Sequence, residues 1–268
     1  MANQVYENFF LSNEVEDQFN SHLDLQQFCT VDNSLEGRAG MTRVINTYRA
    51  TDGTEKLVMG AGNTKSIEVS LTDAEYKIAL AQNRFKYYDE QAMTDPNIVP
   101  VGMKHAGTDM FNTVNDDIFE EFNKTGIEVP ATSFGFDAFV DAVAALNIEN
   151  LEGVSIFAFV CPKDIAKLRK SLKEDLKYVE AFAKGGYIGT VAGVNVYTKK
   201  DAVEGEIIVA TREAVTMFIK KGVEIEQIAK DRRSEEAANI RENTIFSRKY
   251  YVVALTDESK AVKIKVGA

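Results

Sequence analysis

The stretch that decides the fold reads Gly-Tyr-Ile-Gly-Thr-Val-Ala-Gly-Val-Asn-Val-Tyr-Thr-Lys and occupies residues 186–199. Three glycines, Gly186, Gly189 and Gly193, are spaced through a run rich in valine and isoleucine. Glycine permits tight backbone conformations that other residues resist, and β-branched residues favour strands. The β-branched part of this run therefore predicts a strand over Val191–Tyr197.

Upstream of this stretch, the sequence predicts a strand and three helices. The apolar run Val154–Val160 is typical of a buried strand, and Pro162 then starts an amphipathic helix that continues to Leu172. A further helix is predicted from Phe136 to Leu146. The longest helix is predicted over Val101–Asn123, where apolar residues recur every four positions at Met110, Val114, Ile118 and Phe122.

A β-ribbon is predicted closer to the amino terminus. The run Thr42–Arg49 is rich in β-branched residues, and Asp52-Gly53 follows it, which is a strong signal for a hairpin turn. The return strand is predicted over Glu55–Met59. Arg49 and Lys56 are among the basic residues on this ribbon. Since a two-stranded ribbon is only marginally stable alone, it either folds onto its own sheet or is held by a partner.

The carboxyl-terminal third mixes strands with a short helix. A strand is predicted over Glu206–Ala210, and a short helix containing Ala214, Met217 and Phe218 follows it. Further strands are predicted over Val223–Ile228, Tyr250–Leu255 and Ala261–Val266. The order of helices and strands favours the α+β class.

Composition restricts the classes of function. With 268 residues, 45% of them hydrophobic, the chain can bury a substantial core. A formal net charge of -10 argues against a broad basic face that grips nucleic acid. The amino terminus lacks the pattern of a secretory signal, and no apolar stretch is long enough to span a bilayer, so we expect synthesis in the cytosol and no membrane association.

The sequence indicates no catalytic residue, no cofactor and no metal site. Gly60–Lys65 lacks the spacing of a phosphate-binding loop, and Gly185–Gly189 lacks the strand-then-helix setting of a dinucleotide fingerprint. His105 precedes Asp109 by one helical turn, but no nucleophile accompanies it. The two cysteines, Cys29 and Cys161, lack partners at zinc-ligand spacing, and a disulfide between them is not expected.

Together, several segments resemble the major capsid proteins of tailed bacteriophages. Residues Val160–Lys170 resemble a strand–proline–helix segment of that family. Residues 186–199 resemble the family's glycine-containing loop and the strand that follows it. Val209–Val215 resembles a strand followed by a short helix, and Arg248–Val253 resembles the closing β segment. The clear resemblance covers Phe157–Val266, and the amino-terminal half agrees in the order of its elements.

The resemblance implies the Hong Kong phage fold, which encapsulins share. It implies an amino-terminal arm over residues 1–35 and an extended hairpin loop over 36–75. A peripheral domain with the long spine helix would comprise 76–133 and 218–268, and an axial domain would comprise 134–217. Assembly contacts are expected at Arg49, Asp52, Gly53 and Lys56 on the loop and at Gly186, Gly189 and Gly193 near the axis.

The implied function is that of a major capsid protein, not an enzyme. Copies would form pentamers and hexamers that close around double-stranded DNA without reading its sequence. The chain lacks the long amino-terminal scaffolding segment of many relatives, so we expect a separate scaffold protein, and also a portal. The protein would be made and assembled in the bacterial cytoplasm and would reside in the virion.

Two alternatives stay open at this point. An encapsulin-type nanocompartment subunit would share the fold and would hold enzyme cargo rather than DNA. A cytosolic hydrolase using His105 and Asp109 would need a nucleophile or a metal that the sequence does not reveal.

Overall fold

Strands and helices are described here for residues 23–50, 53–148, 153–172, 189–228 and 233–267 of a computed structural model. The helices are α1 (Asp89–Thr94), α2 (Ile98–Asn123), α3 (Phe136–Ala145), α4 (Pro162–Ser171) and α5 (Glu235–Asn239). The strands are β1 (Thr30–Asp32), β2 (Thr42–Ala50), β3 (Val69–Lys77), β4 (Ala79–Tyr88), β5 (Glu128–Ala131), β6 (Ile156–Val160), β7 (Thr190–Val191), β8 (Val194–Thr198), β9 (Glu206–Thr211), β10 (Val215–Gln227), β11 (Glu242–Leu255) and β12 (Ala261–Val266).

These strands form three sheets, which confirms the predicted α+β class. One sheet has four strands in the order β1-β10-β11-β4, with β1 parallel to β10 and the other neighbours antiparallel. A second sheet has six strands in the order β5-β12-β9-β6-β8-β7. The third is the ribbon of β2 and β3.

The ribbon exists, but its predicted return strand is wrong. β2 pairs antiparallel with β3 from Thr42 opposite Lys77 to Ala50 opposite Val69, and residues 53–58 form no strand. A long connection therefore replaces the predicted Asp-Gly turn. The nine residues of β2 all find ladder partners on β3, whereas the five-residue segment Glu55–Met59 would have paired only part of β2.

Two further predictions about local structure are corrected. The segment Ala214–Phe218 is not a short helix, because Val215 begins β10, and Thr216 to Phe218 pair with β1 and with β11. Its apolar residues fit a helical period and a strand period equally, and tertiary pairing selects the strand. The predicted strand Val191–Tyr197 is interrupted by a turn and forms the β7–β8 hairpin.

The last strand of the chain joins the six-stranded sheet. β12 pairs with β9 and with β5, so residues 128–131 and 261–266 belong to the six-stranded sheet that the predicted axial segment 134–217 also builds. The resemblance places both segments in the peripheral domain, and this assignment stays a prediction. The pairing is non-local in sequence, so no local pattern announces it.

The long helix α2 confirms the predicted spine helix and begins three residues earlier. Its apolar stripe is buried, and the helix packs against β4 and β11. Gly102 allows this packing, because a Cβ atom there would lie 2.2 Å from the ring of Phe85 on β4. The buried residues of the stripe are Met110, Val114, Ile118, Phe119 and Phe122.

The central strand β6 is buried on both faces and joins two cores. Phe157 and Phe159 face the spine helix, with the ring of Phe122 centred 5.7 Å from Phe157 and 5.6 Å from Phe159. The alternate residues of β6 face α3 and α4 on the other side of the sheet. This explains why its sequence is a continuous apolar run rather than an alternating one.

The end of the predicted arm lies on the chain's own core. Leu25, Phe28 and Cys29 are buried beside the spine helix and β6. This part of the predicted arm therefore packs on its own subunit; residues 1–22 lie outside the described residues. Asn115 on α2 fixes the segment, since its Oδ1 accepts from the Leu25 N–H at 3.1 Å and its Nδ2 donates to the Leu23 carbonyl at 2.9 Å.

Replacing Asn115 tests this attachment. Asn115→Ala should lower the free energy of unfolding by about 1–3 kcal/mol, because the buried Leu25 N–H loses its acceptor. Urea unfolding of the unassembled protein measures the change. Asn112→Ala, on a half-buried position of the same helix, is the control and should have a smaller effect. An unchanged midpoint for Asn115→Ala would contradict the proposed role of this side chain.

Candidate assembly surfaces

The contact residues predicted on the loop lie in two places. Arg49 is opposite Ser70 in the ribbon, and Gly53 and Lys56 lie in the connection formed by residues 53–68. Asp52 lies outside the described residues. A Cβ atom on Gly53 would come within 2.7 Å of the backbone N and the Cγ1 of Ile67, so glycine is required where the two sides of the connection meet.

Glu55 closes the connection on itself. Its carboxylate accepts from the Thr64 amide at 2.7 Å, from the Thr64 hydroxyl at 2.6 Å and from the Lys65 amide at 3.3 Å. The hydrogen bonds from the Thr64 side chain and then from its backbone hold the pKa of Glu55 below its ordinary value. The Gly60–Lys65 segment is therefore a turn that a carboxylate closes. It does not form an anion-binding loop.

Exposed apolar side chains cover the ribbon and its connection, and we call them the loop apolar surface. Val58 is 78% exposed and the side chain of Met59 is fully exposed. Large apolar side chains that are exposed on a projecting ribbon are candidates for contact with another molecule. Sequence reasoning missed the surface because it placed residues 55–59 in a strand. The other members are Met41, Val44, Leu57, Ile67 and Val69.

The glycines predicted near the axis lie at the edge of the six-stranded sheet. Gly189 precedes β7, and its carbonyl accepts from the Val196 N–H at 3.0 Å. Gly193 has a φ of +81° and follows Ala192, whose φ is +50°, so both central residues of the β7–β8 turn are left-handed. This is the geometry that the twist of a tight hairpin favours. Gly186 lies outside the described residues, so the structure brings together Gly189 and Gly193 but does not join them to the loop residues.

The described part of the chain has few features of a catalytic or metal-binding site. No group of three or more His, Cys, Asp or Glu side chains there could hold a metal ion. His105 is exposed on α2, and its pKa is lowered by partial burial and by the neighbouring Lys104 charge. Cys29 and Cys161 are buried and unpaired, and burial raises the pKa of the Cys29 thiol to about 11. Among the described helices, none has the length and apolar composition needed to cross a bilayer.

Comparison with known proteins shows what the chain is similar to. No family model matches the sequence. The sequence is 26% identical over 262 residues to a protein named major capsid protein of Staphylococcus phage phiMR11, covering 94% of this chain and 90% of that relative. The fold is similar to the capsid structure of cyanophage P-SCSP1u, with a TM-score of 0.73 and 13% identity over 100% of this chain and 92% of that chain. The chain is similar to the major capsid proteins of tailed bacteriophages, in sequence to one relative and in fold to solved capsids.

The Hong Kong phage fold of this family also occurs in encapsulins. The holo-SrpI encapsulin complex of Synechococcus elongatus PCC 7942 matches with a TM-score of 0.63 and 10% identity over 90% of this chain and 86% of that chain. At such identities the structural matches show the fold alone. The fold predicted from the sequence is confirmed, and the relative found by sequence similarity is a phage capsid protein.

A substitution in the β7–β8 turn tests the left-handed conformation of Gly193. Gly193→Ala should lower the free energy of unfolding by about 1–2 kcal/mol, since a Cβ atom strains this backbone although the space around it is open. Gly193→Asn is the matched control and should lose less, because asparagine tolerates the left-handed region. Chemical denaturation measures both, and equal losses would contradict the conformational explanation.

The carboxylate of Glu55 should protect the connection from proteolysis. Glu55→Gln should increase the rate of tryptic cleavage after Lys56 and Lys65 several-fold, because a neutral amide accepts weaker hydrogen bonds than a carboxylate. Mass spectrometry of timed digests follows the cleavage. Glu213→Gln, in the turn before β10, is the control and should leave both rates unchanged.

The same contact should depend on pH in a definite direction. Because the folded pKa of Glu55 is lowered, its hydrogen bonds are complete above the ordinary pKa and are lost as the pH falls through the folded value. Protection of the Thr64 amide against hydrogen exchange should therefore decrease on acidification, after correction for the intrinsic rate. The Glu55→Gln variant should lack this step, and a step of equal size in the variant would assign it to another group.

Proposed function

We propose that this chain assembles into pentamers and hexamers that form an icosahedral phage head shell around double-stranded DNA. The observation that carries the proposal is the loop apolar surface, whose side chains the described residues of the same chain leave open to solvent. The similarity to phage capsid proteins suggests what covers this surface, namely another copy of the chain.

The ribbon supports the proposal because a two-stranded ribbon is not expected to be stable without a partner. β2 and β3 form a sheet of their own, without a third strand among the described residues. Two strands rarely hold together in water unless another surface packs against them. A neighbouring subunit would supply that surface and would bury Val58 and Met59. Each such contact is modest, but a closed shell repeats it in every subunit, so the summed stabilisation is large.

The β7–β8 hairpin is the proposed contact near the capsomer axis. Gly189 and Gly193 have no side chains that would widen this edge of the sheet, and β7 is only two residues long. Short edge strands limit uncontrolled pairing with other chains. The hairpin would therefore let five or six copies approach one axis without polymerising through their sheets.

The charge of the chain fits a container for DNA better than a DNA-binding protein. The formal net charge is -10. A negatively charged wall neutralises few phosphates, so packaged DNA would meet it without strong binding. We further propose that the protein has a structural and not an enzymatic role in the virion, with assembly in the host cytoplasm guided by a separate scaffold protein and a portal.

The encapsulin alternative is supported by the SrpI match and predicts a different content. Purified phage heads would contain nuclease-protected double-stranded DNA, whereas a nanocompartment would contain an enzyme. A neighbouring portal, protease and terminase gene would support the phage assignment, and a neighbouring peroxidase or ferritin-like gene would support the encapsulin.

Substitution on the loop apolar surface tests the assembly role. The double variant Val58→Asp, Met59→Asp should reduce the yield of closed shells at least tenfold, because charges would be buried against the neighbouring subunit. Negative-stain microscopy and light scattering measure shells, and urea unfolding checks that the subunit keeps its stability. The conservative pair Val58→Ile, Met59→Leu should assemble normally. Normal shells from the aspartate variant would contradict the proposed contact.

A further inference from the structure

Helices α3 and α4 lie on the same face of the six-stranded sheet. Phe139 of α3 and Leu168 of α4 are buried in one core with alternate residues of β6. Helix α3 contacts β5 and β12 at one edge of the sheet, whereas α4 directly follows β6 in the sheet's interior. The two helices therefore expose their outer sides at different places across the same sheet.

The outer side of α3 carries an apolar stripe next to an acidic one. Phe136 and Val140 are about one helical turn apart and are 49% and 42% exposed. Asp137 and Asp141 have the same spacing, follow them directly in sequence and are also exposed. In the part of the chain that the structure describes, neither carboxylate has an ion-pair partner. The exposed side of α3 is therefore acidic, with an apolar stripe that is open to solvent.

The outer side of α4 is basic. Asp164 is the one carboxylate of this helix, and it is buried. Four cationic side chains are exposed on the helix: Lys163, Lys167, Arg169 and Lys170. Glu204 pairs with two of them, at 3.3 Å from Lys163 and 2.8 Å from Lys167. Arg169 and Lys170 have no ion-pair partner within the described ranges, so this side keeps uncompensated positive charge.

Two surfaces of opposite charge on one subunit suit a ring of identical copies. In a closed ring, each copy presents one surface to the neighbour ahead of it and a different surface to the neighbour behind it. Among the described residues of a single chain, the acidic side of α3 and the basic side of α4 form no ion pair with each other. Contact between two copies would bring the two sides together and would compensate both charges.

We infer that the acidic side of α3 in one copy packs against the basic side of α4 in the next copy around each ring of five or six subunits. The apolar stripe of α3 lies against the aliphatic stems of Arg169 and Lys170. The carboxylates of Asp137 and Asp141 approach the charged ends of those two side chains. The charges also fix the direction of the ring, since two sides of like charge repel each other. The inference deepens the proposed function and rests on it.

Charge reversal on either side tests this contact. The basic variant carries Asp137→Lys and Asp141→Lys, and the acidic variant carries Arg169→Glu and Lys170→Glu. Each variant alone should lower the yield of rings and shells at least tenfold, because sides of like charge then meet between copies. Negative-stain microscopy and light scattering on protein supplied with its scaffold measure the yield, and urea unfolding checks that each subunit keeps its stability.

A mixture of the two variants gives a second result that depends on the number of subunits in the ring. Each contact in the mixture joins opposite charges only where a basic and an acidic variant are neighbours, so the two must alternate. A ring of six can alternate completely, whereas a ring of five contains at least one pair of like-charged sides. An equal mixture should therefore recover rings of six, while rings of five stay at least tenfold below the yield of the unaltered chain.

A control with the same change of charge separates this contact from a general effect of net charge. Glu235→Lys together with Glu236→Lys adds as much positive charge as the basic variant does. Both residues are exposed on α5, which packs against β11 of the four-stranded sheet. This control should give rings and shells at the yield of the unaltered chain.

The outcomes distinguish this contact from the proposed function. If either variant alone assembles as well as the unaltered chain, or if the mixture of stable subunits recovers no rings of six, the contact between α3 and α4 is overturned and the shell function stands. An unaltered chain that forms no rings or shells would overturn the proposed function and this contact together.

Discussion

The packing of aromatic rings between the spine helix and strand β6 is the contact on which the rest of the structure depends. Phe122 and Phe119 from the helix, Phe157 and Phe159 from the strand, and Phe28 from the amino-terminal segment form one buried cluster. Removing one such ring costs about 3–5 kcal/mol, against a total stability of about 5–15 kcal/mol for a typical domain. The cluster connects both large sheets, so each is oriented by it.

The segments that this core leaves exposed are the ones available for contact with other molecules. The ribbon of β2 and β3 forms a sheet of its own and carries exposed apolar side chains, and the short strand β7 lies at the edge of the six-stranded sheet. A subunit with a rigid core and exposed projecting segments is suited to assembly. The core fixes the angles between neighbouring subunits, and the projecting segments supply the contact area. This division links the internal packing to the capsid family's function.

Local patterns in the sequence predicted the elements whose periods are unambiguous. The four-residue repeat of Met110, Val114, Ile118 and Phe122 gave the spine helix, and Pro162 marked the start of α4. The return strand of the ribbon and the start of β10 were wrong, because their conformations depend on pairing with distant residues. Gly193 was found as a candidate, but the loop apolar surface was not, since exposure depends on which strands pair. The assembly contacts at all seven predicted residues stay predictions: Arg49, Asp52, Gly53, Lys56, Gly186, Gly189 and Gly193.

The most direct measurement for the central claim is negative-stain microscopy, with light scattering, on the purified full chain at high concentration with its scaffold supplied. The account predicts closed shells, or rings of five and six subunits, because the exposed ribbon surface needs a second copy. Protein that stays strictly monomeric under these conditions would contradict the account.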